Sequence, residues 1–279
     1  MAITTRDQLI NAMANNSSRI FIDKPSISNT IAGQFHSLWR SNGQPGLGGT
    51  PGAAAIPTDT TLGAIKFTQQ TGPSKSYLSI LEGLCTNNST TLELHDRIMH
   101  NGGLNGTLAT PQNVVADVHA NLPLFNIAER IGNADYSDLT WWIEWYIDTG
   151  STAVTVTVNV TYNDGTTGNL TGISLGIIRR TSFMQPLNTF VPIDSTGKYI
   201  CCVNSLTLSA TTGGQGNFGI TCTKHIASLY KPLANARFTS DWANLGLPLI
   251  PNQACLSLIQ LAGATSTGAV RATGKIAHG

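Results

Sequence analysis

Charged residues are scarce in this sequence. Only 11% of its 279 residues are Asp, Glu, Lys or Arg, whereas an ordinary soluble domain has about 25%. The polar surface must therefore come mainly from Thr, Ser, Asn and Gln, and so little charge does little to keep copies of the chain apart. We interpret the composition as that of a protein whose surface is buried in an assembly. The alternative is an ordinary all-β protein with a neutral surface.

Basic clusters, leader peptides and long apolar runs are missing as well. The net charge is +1 and no run of Lys or Arg exceeds the pair Arg179-Arg180, so the positive patch that binds nucleic acid is absent. Residues 1–13 do not form a basic segment followed by an apolar one, and no apolar stretch approaches the roughly 18 residues of a membrane helix. We therefore predict a chain that is made in a cytoplasm, avoids membranes and does not bind nucleic acid directly.

The cysteines follow no disulfide or metal-binding pattern. Their number is odd, their spacing is irregular, and the two adjacent ones would point to opposite faces of a strand. We predict that they are reduced and mostly buried, as small apolar side chains. The five are Cys85, Cys201, Cys202, Cys222 and Cys255.

The first 80 residues are predicted to form an N-terminal helix and an extended arm. Thr5 and Gln8 have the spacing of a capping box, which predicts a helix over Thr5–Met13. The Gly- and Pro-rich stretch from Gly43 to Pro57 excludes regular structure there. A structureless stretch of this length is unusual in a compact domain, so we expect the arm to become ordered by lying across a neighbouring subunit.

Residues 81–279 are predicted to form a mainly β body. Short apolar runs alternate with turn residues, and no long helix separates them, a pattern typical of a β-sandwich or jelly roll. A helical turn is expected near Leu124–Ile131. The predicted strands are Tyr77–Leu84, Thr91–Met99, Trp141–Ile147, Ala153–Tyr162, Gly172–Ile178, Lys198–Leu208, Phe218–Leu229 and Ala254–Ala262.

Two of these strands are predicted to form a hairpin. Apolar residues occupy every second position from Val154 to Tyr162, which is the period of a half-buried strand. In the preceding strand, the odd positions from Trp141 to Ile147 are the better core candidates, because Glu144 lies on the even face. Trp142 and Tyr146 share that even face and become candidate subunit contacts.

The turn of this hairpin, Asp148-Thr149-Gly150-Ser151, resembles the active-site loop of aspartic proteases. Their chemistry needs two carboxylates that share one proton. The nearest second motif, Asp194-Ser195-Thr196-Gly197, has one residue too many. Asp, Thr, Gly and Ser are also the residues that turns prefer, so a turn is the favoured interpretation and a protease that uses Asp148 is a remote alternative.

Two further motifs match a functional pattern by letter only. Gly214-Gln215-Gly216-Asn217-Phe218-Gly219 fits GxGxxG, but a dinucleotide site requires a helix after it, and a β-rich segment follows. His95, Asp96 and His100 include ligand types, but His95 and Asp96 would point to opposite faces of a strand. We therefore expect no cofactor, no metal site and no catalytic residue.

Two segments carry a resemblance to a known group of proteins. They are Ser37-Leu38-Trp39-Arg40-Ser41-Asn42-Gly43-Gln44-Pro45-Gly46 and Leu92-Glu93-Leu94-His95-Asp96-Arg97-Ile98-Met99-His100-Asn101-Gly102-Gly103-Leu104-Asn105-Gly106-Thr107. With the aromatic, Thr-rich strands that follow, they resemble tailed-bacteriophage virion structural proteins from about Ser37 to Tyr162. The resemblance implies a capsid-associated or other virion component with a β-sandwich body, and it transfers no catalytic residue.

These observations lead to one hypothesis and one main alternative. The hypothesis is a non-enzymatic phage virion subunit, most simply a decoration, cementing or minor capsid protein, with the major capsid protein and further copies of itself as partners. The alternative is a tail or receptor-binding adhesin, in which Trp141, Trp142 and Trp145 would stack on sugars. The candidate interface residues are Phe35, Leu38, Trp39, Pro45, Trp142 and Tyr146.

Overall fold

The computed structural model describes residues 2–175, 180–192 and 195–279 and confirms the mainly β class with an N-terminal helix. The helices are α1 (Arg6–Asn15), α2 (Ile127–Arg130) and α3 (Trp242–Leu245). The strands are β1 (Ser17–Lys24), β2 (Phe35–Ser37), β3 (Ser76–Cys85), β4 (Thr90–His100), β5 (Gln112–Asp117), β6 (Leu139–Ile147), β7 (Thr155–Tyr162), β8 (Thr167–Ser174), β9 (Phe183–Pro186), β10 (Ile200–Leu208), β11 (Asn217–Lys231), β12 (Phe238–Asp241), β13 (Leu249–Ile250), β14 (Leu256–Leu261) and β15 (Val270–His278).

The chain divides into two compact units that do not coincide with the predicted arm and body. The first unit combines Met1–Gly49, Thr58–Asp96 and His225–Gly279, and the second combines Thr50–Pro57 with Arg97–Lys224. A boundary near residue 80 therefore falls inside the first unit. The reason is a non-local strand pair, since β1 from the predicted arm pairs along its whole length with β15 at the other end of the sequence.

Helix α1 begins as its sequence predicts. The Thr5 side chain accepts a hydrogen bond from the Gln8 amide, and the Gln8 side chain accepts one from the Thr5 amide, which completes the capping box. This exchange satisfies two backbone donors that a helix start leaves without intrahelical partners. Leu9 and Ala12 pack with Ala277 of β15, so the amphipathic face has a partner within its own unit.

The first unit is built on one antiparallel sheet and a smaller strand group. Its sheet has the order β1-β15-β3-β12, with β13 also pairing with β3. In addition, β14 pairs with β2 and with residues 91–96 of β4. Buried aliphatic side chains such as Ile20, Leu78 and Ile276 form its core.

The second unit also contains two groups of strands. One is an antiparallel sheet of order β5-β10-β7-β8. In the other, β6 pairs with β9 and with residues 217–224 of β11. Alternate residues of β7, namely Val156, Val158 and Val160, lie in a core that also contains Trp141 and Trp145 of β6.

The predicted hairpin is wrong, although both of its strands exist. Strand β6 pairs with β9 and β11, whereas β7 pairs with β8 and β10. Asp148–Ser151 therefore connects two sheets. A Cβ atom on Gly150 would lie 2.0 Å from the carbonyl oxygen of Thr212. The backbone at Thr212 therefore packs directly against this connection. Sequence alternation identifies a strand but not its neighbour.

Most other local predictions are confirmed within a few residues. Strands β3, β4, β10, β11 and β14 and helix α2 coincide with predicted segments. The predicted strand Gly172–Ile178 is described only in part, because β8 ends at Ser174 and residues 176–178 lie outside the described part of the chain. Strands β1, β2, β5, β9, β12, β13 and β15 were not predicted.

The cap of α1 yields a first test. Thr5→Ala removes the side-chain acceptor, and we expect it to lower the free energy of unfolding by about 1 kcal/mol. Ile10→Ala, at an exposed position of the same helix, is the control and should change it by no more than about 0.5 kcal/mol. Urea unfolding followed by circular dichroism measures both, and equal losses would contradict the capping role.

Candidate functional site

A group of interacting polar side chains lies inside the second unit. It comprises Arg97 at the end of β4, Glu144 and Tyr146 on β6, and Thr221 on β11. Glu144 and Tyr146 point to the same face of β6 because their spacing is two residues. Arg97 is 1% exposed and Glu144 is 0% exposed, so this ion pair is enclosed by protein.

All three nitrogen atoms of the Arg97 guanidinium donate hydrogen bonds. Its Nη1 donates to Oε1 of Glu144 over 3.3 Å, and its Nη2 donates to Oε2 of the same carboxylate. Nη2 also lies 3.2 Å from the Tyr146 hydroxyl and 3.0 Å from Oγ1 of Thr221. Nε donates to Nδ1 of His100 over 2.9 Å. A buried charge is tolerated when it is paired and hydrogen-bonded in this way.

Glycine on the neighbouring strand makes room for this group. Gly219 of β11 is the register partner of Glu144, and a Cβ atom there would lie 2.0 Å from the carbonyl oxygen of Asn101. That same carbonyl is 3.2 Å from the Tyr146 hydroxyl, and the Asn101 side chain accepts a hydrogen bond from the Ile220 amide. The close approach fixes the end of β4 to β11.

Burial removes the acid–base chemistry that these residue types could offer. Burial, with a smaller contribution from the Arg97 charge, lowers the pKa of His100 to about 2. Burial, followed by the negative charge of Glu144, raises the pKa of Tyr146 above its usual value. Neither group changes protonation near neutral pH, where a general acid or base must do so. The arrangement is suited to holding strands together.

Asp148 does not have the surroundings of a protease carboxylate. Its Oδ2 accepts from Nη1 of Arg180 over 2.8 Å, and its Oδ1 accepts from the amide and hydroxyl of Thr181 over 2.7 and 3.0 Å. Partial burial alone raises its pKa, but the hydrogen bonds from Arg180 and Thr181 outweigh that effect and lower the pKa. Asp194, the suggested second carboxylate, lies outside the described residues.

The GxGxxG segment and the group His95, Asp96 and His100 do not form a dinucleotide site or a metal site. The GxGxxG segment leads directly into β11, so the helix that a dinucleotide site requires does not follow it. His95 lies 2.9 Å from a Glu93 carboxylate oxygen, and Asp96 accepts a hydrogen bond from the Cys255 amide. His100 accepts one from Nε of Arg97. Among the residues that the structure describes, no cluster of His, Cys, Asp or Glu is arranged to hold a metal ion.

Four of the six interface candidates are buried inside the chain. Leu38, Trp39, Trp142 and Tyr146 are almost fully enclosed, which contradicts their assignment as contacts with another subunit. Both indole nitrogens are satisfied internally, that of Trp39 by the Gly49 carbonyl and that of Trp142 by the Thr223 hydroxyl. Phe35 and Pro45 are half-buried and stay candidates.

The face assignment of β6 also needs correction. Its even face is as buried as its odd face, whereas Ile147, predicted to lie in the core, is 54% exposed. Because both faces of β6 are buried, its sequence does not show which face points into the core. This burial also weakens the adhesin alternative, because Trp141, Trp142 and Trp145 are too enclosed to stack on a sugar.

The cysteines are placed as predicted. All five are buried and none of them forms a disulfide bond. Burial, with the nearby Asp117 charge as a second cause, raises the pKa of Cys201 to about 11 and that of Cys202 to about 12. Both are therefore neutral thiols at physiological pH rather than nucleophilic thiolates.

Comparison with known proteins assigns no family. No family model matches the chain, and no curated protein matches it. Among solved structures, infectious bursal disease virus of the Gt strain is similar at 10% identity, over 94% of this chain and 80% of that chain, with a TM-score of 0.18. The VP2 subviral particle of the same virus is similar at 11% identity, over 94% and 79%, with a TM-score of 0.16. Matches at these TM-scores support no statement about this chain. None of its described helices has the length and apolar character to cross a membrane.

The buried ion pair gives a second test. Removing one partner leaves the other charge uncompensated, so Arg97→Met or Glu144→Leu alone should cost about 3 to 5 kcal/mol of unfolding free energy. The double variant should be more stable than either single variant, because it leaves no unpaired charge. Urea unfolding supplies the values.

The exposed ion pair between Glu82 and Arg237 is the matched control. Glu82→Leu should cost less than about 1 kcal/mol, because water screens that pair. Strictly additive losses at Arg97 and Glu144 would show that the two side chains do not act together.

His100 predicts how stability depends on pH. Its pKa is near 6.5 when unfolded and about 2 when folded, so below pH 6.5 the unfolded state binds the proton that the folded state excludes. Stability from this residue is therefore complete above pH 6.5 and is lost as pH falls, at up to about 1.4 kcal/mol per pH unit. His100→Gln should show a flatter profile between pH 6.5 and 4.5 in urea titrations. Parallel profiles would contradict the assignment.

Proposed function

We propose that this chain is a non-enzymatic structural subunit of a virus particle. The observation that carries the proposal is that its conspicuous polar residues are enclosed and paired with each other. Arg97, Glu144 and Tyr146 are buried, Asp148 is bonded to Arg180, and the thiols of Cys201 and Cys202 are neutral. A protein that has little charge and uses its polar groups for internal structure is suited to assembly.

More narrowly, we propose a tailed-phage virion and a capsid-associated position. The support is the resemblance of Ser37–Gly46 and Leu92–Thr107 to phage virion proteins. The subunit would decorate or cement the shell, or serve as a minor capsid protein, and bind the major capsid protein and its own copies. Phe35 and Pro45 are the candidate contacts that are still partly accessible.

Fractionation of virions tests this proposal. Particles purified on a density gradient from a host that produces the chain should contain it at a fixed ratio to the most abundant virion protein, as measured by quantitative mass spectrometry. Washing with high salt should leave the ratio unchanged, since the chain offers little charge for screening to act on. Recovery of the chain exclusively at the top of the gradient would contradict a virion role.

A further inference from the structure

The scarcity of charge is concentrated in one sheet of the second unit. Strands β5, β10, β7 and β8 contain one charged residue among them, Asp117, and it lies at the end of β5. By contrast, the strands of the sheet in the first unit contain several charged residues, including Glu82 of β3, and an ion pair between Arg271 of β15 and Asp23 of β1. Low charge is therefore a property of a particular surface as well as of the whole sequence.

Apart from Val115 and Asp117 at the β5 edge, the outward side of this sheet is covered by short hydroxyl and amide side chains. Buried Val156, Val158 and Val160 alternate along β7 with residues that are half-buried or exposed. One register row crosses all four strands, through Asn169, Asn159, Ser205 and Asn113. Neighbouring register pairs on this side are Thr161 with Thr167, Thr157 with Thr207, and Thr155 with Ser174. We call these residues, together with Asn204 beside Ser205 on β10, the uncharged face.

Hydrogen bonds along the uncharged face hold several of its side chains in place. Nδ2 of Asn159 donates to Oδ1 of Asn169 over 2.8 Å, and Nδ2 of Asn204 donates to Oδ1 of Asn159 over 2.9 Å. Asn204 also donates to Oγ1 of Thr161 over 3.0 Å. Part of the rotamer entropy that an interface must remove is therefore already lost in the free subunit.

The free-energy cost of removing such a face from water is low. Burying a charge without a partner is costly, whereas hydroxyl and amide groups regain their hydrogen bonds from any partner with both donors and acceptors. Thr, Ser and Asn each carry both kinds of group. A second copy of the same face is therefore complementary to it, and two-fold symmetry brings like side chains within reach of each other.

The size of the face suits a contact that is repeated in an assembly. Four strands of about eight residues each cover an area of about 500 Å². Two copies in contact would therefore bury about 1,000 Å² in total, which is near the lower limit for specific interfaces. We propose that the uncharged face of β5, β10, β7 and β8 docks against the same face of a second copy of this chain. This contact rests on the proposed function for its setting, because a weak contact becomes stable when a particle repeats it.

Lysine substitutions test the proposed contact. Thr157→Lys, at the middle of the face, and Thr155→Lys, at an exposed position of the face on β7, would oppose like charges across a two-fold interface. Thr239→Lys, exposed on β12 of the first unit, is the matched control. Analytical ultracentrifugation at concentrations up to about 1 mM covers the weak end of specific association.

We expect the wild type and Thr239→Lys to self-associate equally, within about twofold in Kd, and both face variants to weaken association by about tenfold or more, which is about 1.4 kcal/mol. Circular dichroism checks folding, and the exposed Thr155 position keeps the test valid if Thr157→Lys does not fold. A wild type that stays monomeric, or face variants that associate as well as the control, would overturn the contact. Virion fractionation separates the two proposals, because a virion-bound chain whose face variants associate normally contradicts the contact alone.

Discussion

A buried arginine must be given a complete set of partners, and much of the second unit is arranged to provide them. Arg97 receives the Glu144 carboxylate, the Tyr146 and Thr221 hydroxyls and the neutral His100 ring. These groups come from the end of β4, from β6 and from β11. Satisfying one guanidinium therefore fixes three strands, because the loss of any partner exposes a charge to an apolar surrounding.

The same physical rule explains where the remaining polar groups lie. The buried indoles of Trp39 and Trp142 donate to acceptors within their own units. On the uncharged face, Asn159, Asn169 and Asn204 bond to each other and still offer groups to a partner. The interior thus contains the strong electrostatic pair, while the sheet surface contains weak, neutral groups. The proposed contact between copies rests on this distribution.

Local structure was predictable where neighbouring residues decide it. The Thr5–Gln8 capping box placed α1, and the alternation from Val154 to Tyr162 placed β7. Pairing was not predictable, because the partner of a strand is set by contacts distant in sequence. For this reason the prediction of a hairpin was wrong. The prediction of a separate arm missed the pairing of β1, near the start of the sequence, with β15, near its end. Trp142 and Tyr146 were assigned to a surface because Glu144 shares their face, yet Arg97 allows that carboxylate to be buried.

The sequence by itself determined the mainly β class, the start of the first helix, the burial of the cysteines and the shortage of charge. Each follows from composition or from the spacing of residues close in the chain. Tertiary structure alone decided which strands pair, that Asp148 bonds to Arg180, and that Arg97 and Glu144 meet inside the protein. It also gathered uncharged residues from four separate strands onto one face, which no linear pattern shows because strand register is a three-dimensional property.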